Sequence, residues 1–381
     1  MHYRVLGKTG IKTSILGFGC MRLPTKSWDT HEIADKEAVK IIRKGIDRGI
    51  NYIDTAESYH MGESEKVVGR ALKDGYREKV TLVTKSPVWK EDFCKPERFE
   101  EYLDSQLKKL DVDSIDIYLL HSLDEKSWKE KVLKFDLIER AQKAQDEGRI
   151  NHIGFSFHDK PEVLKEIIDS GAFEVMLVQY NILNTANEAM ITYAAEKGMG
   201  VAVMGPVGGG RLAGEPPQEM RHWLTKGKKT FVDLALKFVW SNPHVSVALS
   251  GMGSETMVED NLAIASQDYV LQQDEMTRAE DIRQKFKELT ENICTNCGYC
   301  MPCPNEVNIP FIFGALMYYE VYNQKERGHL FYKNIGNVAE YWPPGKDARS
   351  CVECGECLEK CPQKISITEQ LKKAHKILSE A

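Results

Sequence analysis

Eight of the ten cysteines crowd into residues 294–361, in two runs. The first is Cys294-x2-Cys297-x2-Cys300-x2-Cys303-Pro304, and the second is Cys351-x2-Cys354-x2-Cys357-x3-Cys361-Pro362. Thiolates two residues apart can wrap one cuboidal cluster from a single loop, and the second run has the bacterial ferredoxin spacing. In such runs the cysteine before proline reaches the other cluster. The spacing therefore predicts two [4Fe-4S] clusters with crossed ligands. One takes Cys294, Cys297, Cys300 and Cys361; the other takes Cys351, Cys354, Cys357 and Cys303. The first run is one residue short before its last cysteine. A zinc site or free thiols are the alternative readings. Zinc takes four ligands, whereas eight arrive here as two matched runs. Clustering of this kind in a reducing compartment argues for metal, not disulfides.

Four other residues could move protons. Asp54, Lys85 and His121 each close a short apolar run, and Tyr59 follows Asp54 by five residues. Each has a bland reading: a capping Asp, a solvated Lys, a satisfied interior His. Together, at the ends of successive runs, they point to one site.

The elements that must position them alternate. Short β-branched and apolar runs at 15–20, 51–56, 80–85, 115–121, 152–157, 175–180, 200–205 and 245–251 read as strands with both faces buried. Between them lie helical stripes: Ala38, Ile41, Ile42, Gly45 and Ile46; Val67, Ala71 and Leu72; Phe99, Leu103, Leu107 and Leu110. Glycines 49, 148 and 198 follow helices, as a helix C-terminus prefers. The opening 3–15 stretch reads as a hairpin. The class is α/β. Eight strand–helix repeats predict a (β/α)₈ TIM barrel over 1–285, with a doubly wound open sheet as the runner-up. A small, mainly α-helical ferredoxin-like domain follows over 286–381, with helices expected at 311–324 and 368–378. On a barrel, reactive residues sit at the C-terminal ends of strands, where these four fall.

The stretch Asn51-Tyr-Ile-Asp-Thr-Ala-Glu-Ser-Tyr59, continued by Gly62-Glu-Ser-Glu-Lys-Val-Val-Gly-Arg-Ala-Leu72, resembles the signature of the aldo-keto reductase family around its catalytic Asp and Tyr. The segments around Lys85 and His121 resemble those carrying its Lys and His. The resemblance runs over about 1–270. It implies a nicotinamide dinucleotide as hydride donor and Asp54, Tyr59, Lys85 and His121 as the catalytic tetrad. Asp54 would hold Lys85 charged, and Lys85 would lower the Tyr59 pKa. Tyr59 would then give a proton to a carbonyl oxygen oriented by His121. It also implies the cofactor residues: Ser156 and Gln179 at the carboxamide, with Gly19, Met21, Asp54, Met204 and Gly205 nearby. Ser250, Gly251, Ser254, Asp260 and Asn261 would lie at the adenosine end. Gly17-Phe-Gly19 lacks the rest of a Rossmann fingerprint.

Three departures stand out. Met204 replaces an aromatic that stacks on the nicotinamide, Phe157 replaces an Asn, and Gly251 and Met257 stand where NADP-preferring members put cations. NAD(H) is therefore expected over NADP(H). The cysteine runs resemble the two-cluster ferredoxin domains of succinate dehydrogenase iron–sulfur subunits.

A net charge of −6 and the absence of a basic excess disfavour nucleic acid. No apolar run spans a bilayer, and no signal-peptide core opens the chain, so the cytoplasm is the expected compartment. The expected substrate is a small carbonyl or alcohol, chosen by the 122–131 and 207–229 loops. A ferredoxin or other electron-transfer protein is the expected partner. Hydride carries two electrons and a [4Fe-4S] cluster one. A flavin remains compatible as the converter, although no flavin motif is visible. The competing readings are a carbonyl reductase with structural clusters and a nucleotide-binding redox sensor.

Overall fold

The hairpin that opens the chain pairs β1 (Tyr3–Val5) with β2 (Lys12–Ser14), antiparallel. This computed structural model describes all residues except 27–31, 215–229, 291–293, 295–297, 338–341, 362–363 and 381. The hairpin turn ends at Gly10, with φ 74, where a residue with a Cβ would be strained.

Eight parallel strands follow: β3 (Leu16–Gly19), β4 (Tyr52–Asp54), β5 (Thr81–Ser86), β6 (Ile115–Leu123), β7 (Ile150–Phe157), β8 (Val175–Gln179), β9 (Gly200–Met204) and β10 (Val247–Ser250). They close in the order β10-β3-β4-β5-β6-β7-β8-β9. Because β10 pairs with both β3 and β9, the sheet has no edge, and the open-sheet alternative falls. All six residues of β5 are buried, as a strand covered by helices on one side and the barrel interior on the other requires.

The helical stripes bury as their spacing demands. Helix Asp35–Asp47 buries Ala38, Ile41, Ile42, Gly45 and Ile46, and Pro96–Leu110 buries Phe99, Leu103 and Leu110. Gly49, Gly148 and Gly198 have φ of 100, 73 and 86, the left-handed turn that ends a helix. The hairpin contributes Leu6 to the barrel interior, among Tyr52, Val83, Ile117 and Val247. A Cβ on Gly200 would stand 2.6 Å from the Leu6 Cγ, so glycine there makes room for this plug. The Lys8 N–H donates to Gly198 O at 2.8 Å, just before β9 begins. The plug is thus at the N-terminal end, leaving the C-terminal end for chemistry.

The chain divides into two compact units: Met1–Pro206 with Asp233–Gln272, and Val207–Val232 with Gln273–Ala381. The second unit is mainly helical, with Gln273–Thr290, Ile309–Glu320, Lys325–Lys333, the short Glu356–Lys360, and Ile367–Leu378. Asn308 caps Ile309–Glu320 by accepting from the Phe311 N–H at 3.3 Å, with proline in the first turn. Its core joins Ile312, Phe313 and Leu316 to Leu371, Ala374 and Leu378. Among the described residues, no helix is long and apolar enough to cross a membrane.

Candidate active site and cysteine cages

β4 and β5 are neighbours in register, with Asp54 opposite Val83. Asp54 and Lys85 rise from these two strands, at 2% and 0% exposure. Lys85 Nζ donates to Asp54 Oδ1 and to the Thr55 carbonyl, both at 2.7 Å. Burial works against the ammonium, but Asp54 and Tyr59 outweigh it and hold the Lys85 pKa above its ordinary value. Tyr59 opens a 3-10 turn after β4, and its ring centroid lies 4.7 Å from Lys85 Nζ. His121 on β6 stands edge-on to Tyr59, with ring centroids 6.1 Å apart.

Two expectations change in detail. β6 does not stop at His121. It continues to Leu123 across a register shift between Leu120 and Leu123, with Ser122 at φ 56. Such a bulge turns a side chain without ending the strand. The expected lowering of the Tyr59 pKa is also not a net effect. Burial raises it, Lys85 pulls it down, and Asp54 pushes it up again, leaving it above the ordinary phenol value. Burial is the largest of these effects and disfavours the phenolate more than Lys85 favours it. His121 is driven far below the ordinary histidine value, by burial first and then by Lys85 and His158, and is neutral here.

Apart from Asp54, the residues expected at the cofactor lie on or after β7, β8, β9, β10 and β3, which are consecutive around the barrel. Ser156, on β7, accepts from the Ser122 N–H at 2.7 Å, which leaves its own hydroxyl proton to donate. Gln179 ends β8 and Met204 ends β9; Gly205 follows at φ 62. Ser250 ends β10 and accepts from Asn261 Nδ2 at 2.7 Å. Ser254 caps helix Glu255–Ala265. Gly19 pairs with Asp54 across β3 and β4, and a Cβ on it would stand 3.4 Å from Ser250 O. Gly251, Met21 and Asp260 are exposed. A dinucleotide fits this arc. It offers close-approach glycines and a free hydroxyl donor, and two buried polar atoms, Asp54 Oδ2 and His121 Nδ1, meet no hydrogen-bond partner.

Three features were not read from the sequence. Arg22 lies along Gly251, where a Cβ would stand 3.2 Å from the Arg22 Cβ; nothing in the spacing links residues so far apart. Trp89 packs edge-on against His121 at 4.9 Å, with Lys131 Nζ clamping the Val88 and Trp89 carbonyls at 3.0 and 2.7 Å. Behind Lys85, the fully buried Glu65 accepts from Thr84 Oγ1 at 2.7 Å and Gln106 Nε2 at 2.6 Å. Gln106 also donates to the Lys85 carbonyl at 3.0 Å and accepts from the Tyr118 hydroxyl at 2.7 Å. A charge on the apolar face of Glu63–Ala71 was the available signal for this network.

In the second unit, Cys300, Cys303, Cys351, Cys354 and Cys357 line one small cavity, with Pro302, Val307 and Leu371 among its other lining residues. The loops thus bring the last two cysteines of the first run to the first three of the second. Thiols gathered around one cavity suit a [4Fe-4S] cluster, which takes four of them. Among the described residues, no three His, Cys, Asp or Glu side chains are grouped so as to hold a single metal ion. Cys294, Cys300 and Cys361 pack on the same core; Cys297 lies outside the described residues. Cys20 and Cys94 are buried in the barrel unit.

Residues 15–284 match the Aldo/keto reductase family, and residues 293–365 match the 4Fe-4S dicluster domain. The chain is 29% identical over 312 residues to L-galactose dehydrogenase of Arabidopsis thaliana, covering 75% of this chain and 96% of that protein. It is 28% identical over 217 residues to a probable aldo-keto reductase 1 of Glycine max, covering 55% and 60%. Among solved structures, aldo-keto reductase AKR11C1 from Bacillus halodurans, in its holo form, superposes with a TM-score of 0.64 at 28% identity. It covers 74% of this chain and 96% of its own.

Proposed function

The chain belongs to the aldo/keto reductase family and carries a 4Fe-4S dicluster domain, and from that premise we propose that it interconverts a small carbonyl and its alcohol at the Asp54–Tyr59–Lys85–His121 site. The observation that carries this reading is the buried Lys85–Asp54 pair beneath Tyr59, with Nζ–Oδ1 at 2.7 Å. A bound nicotinamide dinucleotide supplies or takes up the hydride. Tyr59 gives its proton to the carbonyl oxygen, and its raised pKa keeps that proton in place until a substrate arrives. Lys85 stabilises the phenolate left behind, and Asp54 keeps Lys85 charged. Neutral His121 donates one hydrogen bond to the same oxygen. In alcohol oxidation Tyr59 is the base. Trp89, beside His121, forms the apolar wall of the substrate pocket.

Ser156 donates to the carboxamide, with Gln179 as its companion, and Arg22 supplies positive charge to the phosphates. NAD(H) is preferred over NADP(H). Glu255 at the start of its helix is ionised, its pKa held at about 2 by hydrogen bonds from Lys40 and Lys44. Glu259 is likewise held low by Lys44 and Arg48. These cations are already paired with Glu255 and Glu259, which leaves less of their charge for a 2′-phosphate. NADH should bind about tenfold more tightly than NADPH, equivalent to about 1.4 kcal/mol. Fluorescence titration checks this, and tighter NADPH binding would refute the preference.

The two clusters exchange single electrons with a partner protein, and the barrel is the two-electron end. Cluster ligands are Cys303, Cys351, Cys354 and Cys357 for one, and Cys294, Cys297, Cys300 and Cys361 for the other. The test is low-temperature electron paramagnetic resonance of anaerobic protein during turnover with NADH and a carbonyl. A reduced-cluster signal supports exchange. Clusters reducible by dithionite alone, with carbonyl turnover unchanged in folded cluster-ligand variants, would make them structural.

A further inference from the structure

The segment that continues β9 is held from an unexpected side. Val207–Val232 groups with the C-terminal unit, although the chain joins it to the barrel unit at both ends, Pro206 and Asp233. It begins with Gly208, Gly209 and Gly210, all at positive φ of 61, 67 and 91. Two side chains of the C-terminal unit grip this backbone. Gln324 Nε2 donates to the carbonyls of Gly210 and Arg211 at 2.7 and 2.9 Å. Arg327 Nη2 donates to Gly209 O at 3.1 Å, and its Nη1 donates to Gln324 Oε1 at 3.3 Å. That last bond orients the Gln324 amide with its NH₂ toward the segment.

The grip is rigid. The Arg327 guanidinium lies 4.2 Å from the Tyr318 ring centroid, and that of Arg211 lies 5.6 Å from Tyr322. A Cβ on Gly210 would stand 2.9 Å from Arg327 Nη1 and one on Gly214 3.0 Å from Gln324 Cγ, so glycine lets the two chains approach. Arg327 belongs to helix Lys325–Lys333, which is tied to the cysteine-bearing core. The Tyr332 hydroxyl accepts from the Ala348 N–H at 3.3 Å and pairs with His375 Nδ1 at 2.8 Å. Ala348 begins the turn that leads directly into Cys351.

We propose that Gln324 and Arg327 are positioning residues for the oxidoreductase site: by anchoring the strap that continues β9 to the cluster domain, they tune the affinity for the nicotinamide dinucleotide and make it depend on the clusters. The inference rests on the assignment of Met204 and Gly205 to the cofactor. Gly205 lies only four residues before Gly209. A strap already ordered when the cofactor arrives spares binding the cost of ordering it. A core whose thiols have lost their cluster holds the Arg327 helix less firmly, and the strap with it.

The test uses the full chain, purified anaerobically, as wild type, as the double variant Gln324→Ala/Arg327→Ala, and as Arg327→Lys. Iron content, NADH affinity, turnover at saturating NADH, and hydrogen exchange of the 207–214 amides are measured on each. The double variant should keep its iron, exchange the strap amides faster, and bind NADH about tenfold more weakly, since all three hydrogen bonds to the strap are lost. Its turnover at saturation should stay within about twofold of wild type, since no reacting atom is touched. Arg327→Lys, which keeps one donor to Gly209, should fall between. Iron-free wild type should match the double variant. Unchanged NADH affinity in the double variant overturns the inference, whatever the exchange shows, and equal affinity with and without iron overturns the link to the clusters. A wild type that binds neither NADH nor NADPH would sink the functional reading itself, before any variant is made.

Discussion

The barrel site and the cysteine cages hold charged or reactive groups in place by opposite means. In the barrel, adjacent strands fix Asp54 and Lys85, and each charge finds its partner within the protein at 2.7 Å. A second layer, Glu65 with Gln106 and Thr84, fixes the Lys85 backbone from behind. In the second unit the thiols come from loops, and the small core they sit on includes the cysteines themselves. There the partner for the charge has to be the cluster. The contrast teaches that the barrel site is preorganised without its cofactor, whereas the cage is completed by its own.

The largest expected effect breaks the barrel side. Tyr59→Phe removes only the proton donor and should lower carbonyl reduction by about 10²–10⁴-fold, with NADH affinity nearly unchanged. A variant keeping more than half of wild-type turnover would show that another group is the acid.

Next comes the cage. Anaerobic protein should carry about eight iron and eight sulfide. Chelating the iron should loosen the second unit, seen as faster amide exchange there, while the barrel keeps its own melting transition. Stoichiometric zinc in place of iron would end the cluster assignment. Cys303→Ala should damage the cluster held by Cys351, Cys354 and Cys357, because these four thiols share one cavity. Spectra that lose the other cluster would mean each run closes on itself.

A smaller effect separates the second layer from the first. Gln106→Ala leaves the buried Glu65 carboxylate and Tyr118 hydroxyl short of partners and should cost about 1–3 kcal/mol in stability. Denaturant unfolding checks it; a cost near zero would mean that water replaces the amide.

The smallest effect concerns pH. Unfolded histidine takes up a proton near pH 6.5, while buried His121 resists protonation until well below that. Below about pH 6.5 the unfolded chain therefore binds more protons, and stability falls as pH falls. His121→Asn should flatten this decline between about pH 6.5 and 5 and change little above it. Parallel urea titrations at the two pH values decide; an equal slope in variant and wild type would mean that His121 is charged in the fold.

Much of the barrel was legible because its signals are local and periodic. The stripe Ala38, Ile41, Ile42, Gly45 and Ile46 names a buried face by spacing alone, and those five residues are the ones buried. Continuous apolar runs such as 80–85 became strands buried on both faces. What was not legible depends on distant segments meeting. Arg22 against Gly251 brings together residues more than two hundred positions apart, and nothing near either announces the other. The Tyr59 pKa moved opposite to expectation, because the sequence shows that a lysine is near but not how deeply the phenol is buried, and burial disfavours the phenolate more than Lys85 favours it. The bulge at Ser122 is likewise a property of pairing, not of composition.

By itself, the sequence determined the eight strand–helix repeats, the identity of the four polar residues of the candidate site, and the two cysteine runs. Residue type and spacing fix hydrogen-bonding periods and ligand counts without reference to any other segment. The tertiary structure alone decided that β10 closes on β3, that Arg22 lies along Gly251, and that the strap after β9 belongs with the C-terminal helices. Each of these is a meeting of chain segments far apart in sequence. Such meetings are set by which surfaces bury together, and a linear pattern does not contain that information.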